Sequence, residues 1–260
     1  MLKKTAILVL AILVVLPVVA ARVEIDETRS TTPDGEVSVE LLAGTVTIIG
    51  WDRNEVHVTG TIDDSYEELE IDSERGEVSI EVDIDDGEHR NINRGADLTI
   101  HVPRASEVEI EAISAEITIE DVTGEVDIET ISGEIECRGG MEAISIECVS
   151  GDIVVETTAE LKRVDIEAVS GDIELSGALS HGARISVETV NGQVVIRLPS
   201  NTSAKFDIST FNGSIKNEFG PAAEKTSKYL PASELSFTLG SGDARVTVEA
   251  FNGTVRLIAE

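Results

Sequence analysis

The sequence predicts an all-β chain folded as a single-stranded β-solenoid with coils of about 20 residues. Three observations carry this prediction. A pattern h-x-h-E-(A/T/C)-h-(S/N)-G-x-h-x-h, with h an apolar residue, recurs from VEIEAISAEITI (108–119) to VTVEAFNGTVRL (246–257). Its glycine position falls at 115 (an alanine there), 133, 151, 171, 192, 213 and 253, so the spacings are 18, 18, 20, 21, 21 and 40. Within each copy, residues rich in Ile, Val and Thr alternate with polar ones at period two, the pattern of half-buried strands. An antiparallel meander would also explain Asn-Gly corners, but it gives no reason for like residues at like positions. Each coil is expected to stack on the next at ~4.8 Å by parallel pairing, with the right-handed turn usual for parallel crossovers.

Taken in order, residues 1–20 read as a secretory signal peptide. Lys3 and Lys4 precede an apolar run from Thr5 to Leu16, then Pro17 and the small residues Val18-Val19-Ala20. The run is short for a bilayer span. The chain is therefore expected outside the cytoplasm (periplasmic, cell-surface or secreted) and not membrane-spanning once cleaved. Residues 21–260 form one solenoid domain. It has irregular N-terminal coils over 21–107, regular coils over 108–217, a loop excursion over 218–240 and a C-terminal coil over 241–260. The irregular part holds an eighth copy, VSVELLAGTVTI (37–48), and a half copy, RGEVSI (75–80). Open solenoid ends are adhesive edges, so residues 22–36 and the terminal LIAE are expected to cap them or to pair with another chain.

The corner columns have a structural reading. Ser132-Gly133, Ser150-Gly151, Ser170-Gly171, Asn191-Gly192, Asn212-Gly213 and Asn252-Gly253 form one ladder. Glycine suits a corner that needs positive φ or close backbone approach, and short polar side chains bond turn backbone and stacked neighbours. A nucleophilic Ser would need a His in register. His57, His89, His101 and His181 are scattered in sequence, so neither a triad nor a multi-His metal site is indicated. Cys148 occupies a small-residue column and Cys137 an apolar one, at different positions of successive coils, which predicts two free buried thiols rather than a disulfide. Phe206, Phe211 and Phe251 fall in repeat slots that read as core.

Charge narrows the partners. Residues 1–20 hold two Lys and no acid, so their removal takes the formal charge from −30 to −32. Such a surface repels nucleic acid and anionic membranes, and acid-rich, Lys-poor composition also suits a high-salt habitat. Glu111, Glu129, Glu147, Glu167 and Glu188 form an outward acidic column. It is a weak candidate for a divalent cation such as Ca²⁺, or for a partner-binding face, against the plainer reading of a solvated acidic surface. DIDDG (83–87) lacks the alternating ligands and closing Glu of a Ca²⁺ loop, and reads as an acidic turn. GPAAEKTSKYLP (220–231) is an exposed, more basic excursion. No cofactor or catalytic residue is predicted.

The chain resembles an exported bacterial adhesin family of unknown function. The likeness rests on GTVTIIGWDRNEVHV (44–58), ADLTIHVPRASEVEIEAISAEI (96–117), the serial SGDI coils, VVIRLPSNTSAKFDISTFNGSI (194–215) and the closing VTVEAFNGTVRL; Ala115 departs from the usual corner Gly. The resemblance implies a β-solenoid and an extracytoplasmic site, brings no catalytic residues, and links some relatives to envelope stress. The expectation is a non-enzymatic, adhesin-like binding or scaffold protein of the cell envelope, its partner an unidentified protein or envelope component. The alternatives are an envelope-stress accessory and a polysaccharide-active β-helix enzyme. The second would need aromatics for sugar stacking and a basic residue near acids, and its acidic substrate would meet a negative face.

Overall fold

The computed structural model describes residues 22–63, 66–84, 95–225 and 232–260. The expected signal peptide (1–20), His89, most of DIDDG and the tip of the 220–231 excursion lie outside the described residues. Every regular element among those described is a β-strand. The N-terminal part holds β1 (Arg22–Ser30), β2 (Glu36–Trp51), β3 (Glu55–Asp63), β4 (Tyr66–Glu74), β5 (Glu77–Ile84) and β6 (Ala96–Pro103). The regular part holds β7 (Glu107–Glu120), β8 (Val126–Ser132), β9 (Ile135–Gly139), β10 (Ala143–Ser150), β11 (Ile153–Ser170), β12 (Ile173–Asn191) and β13 (Val194–Leu198). The C-terminal part holds β14 (Ala204–Asn217), β15 (Glu224–Lys225), β16 (Ser233–Leu239) and β17 (Ala244–Ala259).

The repeat pattern is the pairing register. Ile144 stands opposite Val126 on one side and Val164 on the other, and Glu147 opposite Glu129 and Glu167. Residues before the corner build one parallel ladder, in the order β5, β2, β7, β8, β10, β11, β12, β17, β14. Residues after it build a second, in the order β6, β2, β7, β9, β11, β12, β13, β17, β14. Inward residues of both ladders, such as Ile128, Ile146, Ile153 and Val155, are fully buried and form one continuous solenoid-like core. In β11 and β12 the strands run on and pair again at Leu161 and Leu179, with register shifts on either side. This third side lies in the longer coils from Gly151 to Gly171 and from Gly171 to Gly192.

Two expectations about order are corrected. The rungs from 108 to 198 stack in chain sequence, but those at the two ends do not. The copy at 37–48 lies directly on the copy at 108–119, so the region expected to be irregular contains a regular rung, with β5 and β6 outside it. At the other end the chain passes over one rung position after β13, forms β14 beyond it, and returns as β17 to fill the gap between β12/β13 and β14. The terminal LIAE is consequently no cap: Ile258 and Ala259 pair with Arg197 and Leu198 inside the second ladder. The ends are closed instead by antiparallel strands. β4 covers β5, and β1 covers β3, which covers β6. β16 covers β14 and in turn carries β15. Antiparallel pairing lets a short turn supply the outermost strand, whereas another parallel rung would need a whole coil.

Candidate functional site

The corner residues behave as a structural ladder. Ser132 Oγ donates to the Ile113 carbonyl at 3.3 Å. Asn252 donates to the Asn191 side-chain oxygen at 2.9 Å, and Asn212 to that of Asn252 at 3.1 Å, following spatial rather than chain order. Ser150 pairs in register with Ser132 and Ser170. The acids beside them serve the same corner: Asp152 accepts from the Asp172 backbone N–H and Asp172 from that of Gln193, each at 2.8 Å. The glycine column is explained by contact between rungs. A Cβ on Gly171 would sit 1.9 Å from the Gly151 carbonyl oxygen, and one on Gly133 1.7 Å from that of Ala115. Ala115 stands in the same column without positive φ.

Just before each corner the strand bends. Pairing steps from Cys148–Ala168 to Ser150–Ser170, passing over Val149 and Val169. Alternation puts the Glu two residues before the bent position outward, the small residue inward, and the bent apolar residue outward again. Repeated along the first ladder, this makes a lengthwise groove of about 840 Å³. One wall is the carboxylate column and the other an apolar column, with Ala112, Thr130, Cys148, Ala168 and Thr189 as the floor. Small floor residues let the bend close without filling the groove. Over its nine first-ladder rungs, β5 to β14, the groove runs ~40 Å at ~4.8 Å per rung.

Stacking order changes what the carboxylate column is. In sequence it is interrupted, Glu188 being followed by Ser209 and then Glu249. In space the row reads Glu81, Glu40, Glu111, Glu129, Glu147, Glu167, Glu188, Glu249 without a break, and Ser209 stands at its end. The Glu147 charge on the next rung is the main influence holding Glu129 above the usual carboxylate range, assisted by burial and Glu111. Burial, then the charges of Glu249 and Glu167, raises Glu188 in the same way. The row supplies one carboxylate per rung, and no group of three metal-ligating side chains converges among the described residues.

The apolar wall was not recognised from sequence as a surface. Ile131, Val149 and Val169 are 53%, 48% and 46% exposed. Phe211 and Phe251, expected in the core, are likewise about half exposed and stack on each other at 4.9 Å between centroids. Only Phe206 is buried, against Phe237 at 4.6 Å. The available signal was the alternation itself, which puts an apolar residue in register with the outward Glu. Both cysteines are free and buried, Cys137 inside the second ladder and Cys148 in the groove floor. Burial pushes the Cys137 thiol up to about 12.

The scattered histidines are partly brought together. Antiparallel pairing of β3 with β6 sets His57 opposite His101, with ring centroids 6.2 Å apart and Trp51 stacked on His57 and tilted against His101. His57 Nε2 lies 2.8 Å from Asp26, and Arg53 covers the Trp51 ring. Burial, then the neighbouring His57 and Arg53, lowers the His101 pKa. This cluster lies outside the groove.

The sequence profile described as Toastrack DUF4097 matches residues 23–257. No curated protein matches the chain. Among solved structures, a "putative cell adhesion protein" from Clostridium sporogenes is 13% identical, with 91% of this chain and 100% of that chain covered at a TM-score of 0.43. A "putative adhesin" from Bacteroides fragilis is 11% identical, with 90% and 97% covered at 0.36. A "putative lipid binding protein" from Parabacteroides distasonis is 10% identical, with 90% and 96% covered at 0.30. No helix among the described residues is long and apolar enough to cross a membrane.

Proposed function

Because the chain belongs to the Toastrack DUF4097 family, we propose that it is a non-enzymatic, adhesin-like binding scaffold of the bacterial cell envelope. It is exported by its N-terminal segment and acts outside the cytoplasm. Its body is a single-stranded β-solenoid, right-handed by the usual preference of parallel crossovers. The observation that carries the reading is the groove. Exposed apolar side chains normally occur singly on a soluble protein, and a contiguous row of them marks an interaction surface. Here such a row runs beside an unbroken row of carboxylates on a rigid stack.

The test is retention of envelope components on the immobilised exported protein and on a variant with Ile131→Asp and Val169→Asp. Both residues are half exposed, so the variant keeps its core. A component held by the wild type and released by the variant supports a binding scaffold. Equal retention by both, or turnover of pectin, alginate or another uronate-containing glycan, would overturn it.

A further inference from the structure

We propose that the groove docks a basic amphipathic α-helix of a partner protein. The helix lies along the stack, with its Lys and Arg side chains toward the carboxylate row and its apolar stripe on the exposed Ile and Val column. This rests on the binding-scaffold reading and adds the chemistry of the occupant.

Three features of the groove select it. The two walls differ in chemistry along their whole length. A purely ionic ligand would leave the apolar wall wet, and a purely apolar one would lie against the carboxylate row. The groove also runs across the strands, and the backbone of each interior rung is already paired on both sides. A strand cannot add here as it would at a sheet edge, so the occupant must bind through side chains. The third feature is pitch. Like positions recur once per rung, every ~4.8 Å, whereas an extended chain returns a side chain to the same face only every ~6.6 Å. An α-helix presents one face every ~5.4 Å. It therefore offers about one apolar and one basic residue per rung, and long flexible Lys and Arg stems absorb the remaining mismatch.

The partner's charge follows from the row it meets. Stacked carboxylates repel one another, as the pKa of Glu129, raised chiefly by Glu147, reports, and a cationic helix relieves that repulsion. A second copy of this chain is a poor occupant, since its formal charge is −30. The stacked rings of Phe211 and Phe251 close one end of the groove and offer an aromatic anchor there.

The probe is a fluorescent helical peptide of about 22 residues, ~33 Å long, with a leucine stripe flanked by lysines. Its control is a scrambled peptide of the same composition, and binding to the exported protein is read by anisotropy. The amphipathic peptide is expected to bind at least tenfold more tightly than the scrambled one. Ile131→Asp with Val169→Asp, and separately Glu129→Gln with Glu147→Gln and Glu167→Gln, are each expected to weaken it at least tenfold. Glu116→Gln, outside the groove, leaves it unchanged. A circular-dichroism melt of each variant separates lost binding from lost fold. Equal binding of the scrambled peptide, or full affinity in both groove variants, would overturn the proposal. So would groove-dependent binding of dodecylamine or cationic vesicles without the peptide. If the peptide fails while groove-dependent retention of envelope components persists, the occupant is wrong and the scaffold reading stands. Failure of both experiments removes both.

Discussion

Replacing Gly171 by Ala tests the idea that the corner column is set by contact between rungs. Gly171 has φ of 142°, and an added Cβ would stand 1.9 Å from the Gly151 carbonyl oxygen. That is about 1.5 Å short of ordinary contact between non-bonded heavy atoms. The obstacle is backbone on the neighbouring rung, so no rotamer change relieves it. The rungs must separate locally, at the expense of the bonds from Gly151 N–H to the Ser170 carbonyl and from Ile153 N–H to the Asp172 carbonyl, now 3.0 and 2.9 Å. Strained backbone costs about 1–3 kcal/mol, and each weakened ladder bond adds roughly 1 kcal/mol. A loss of about 3–5 kcal/mol corresponds to a fall of roughly 6–10 °C in Tm for a chain of this size. Two glycines serve as controls. Gly182 has φ of 78° but nothing near its Cβ direction, so Gly182→Ala carries the conformational strain alone; Gly220 has neither. Melts followed by circular dichroism should rank Gly171→Ala lowest, Gly182→Ala next and Gly220→Ala at wild type. A Gly171→Ala protein that melts within about 2 °C of wild type, or no lower than Gly182→Ala, would refute the contact argument.

Three further outcomes are expected. Deleting residues 241–260 removes β17 from between β12/β13 and β14, and should lower Tm far more than deleting β1, whose side chains are mostly exposed; calorimetry of the two truncations checks this, and equal effects would argue for stacking in chain order. In low salt the protein should melt higher at pH 5 than at pH 7.5. Glu129 and Glu188 have raised pKa values in the folded chain, so it binds more protons than the unfolded chain between those values and the ordinary 4.5, and stability falls as pH rises through that window. High salt should shrink the difference, Glu129→Gln should reduce it, and a lower Tm at pH 5 would contradict the stacked-carboxylate account. Finally, a thiol reagent should find two groups in the denatured, unreduced protein and react slowly with the native one, since Cys137 is fully buried with its pKa near 12; finding none on denaturation would mean a disulfide.

Much of the fold was legible because it rests on local rules. Period-two alternation decides which side of a strand faces inward, and it correctly assigned Ile144, Ile146 and Cys148 to the interior and Glu147 to the surface. The Ser-Gly and Asn-Gly corners were legible for a similar reason, since both the turn and the column belong to consecutive residues. The candidate site was only half legible. The Glu column was seen, but its apolar partner was not. Val149 or Phe251 looks like core by residue type, although alternation carried one residue past Cys148 or Ala250 already turns it outward. His57 and His101 were missed as neighbours because antiparallel pairing, and not sequence distance, sets them opposite each other.

The sequence by itself determined the class of structure, the rung, its corner and the columns that run through it. Those follow from alternation, glycine placement and the need to bury one face, all within a dozen residues. Tertiary structure alone decided which rung lies beside which. Copies that share a register are interchangeable as neighbours, so the pattern accepts any order. The order is chosen by the connections, which carry the chain past one rung position and bring β17 back into it. That choice moves Ser209 to the end of the row, joins Glu188 to Glu249, stacks Phe211 on Phe251, and so turns an interrupted column into a continuous groove.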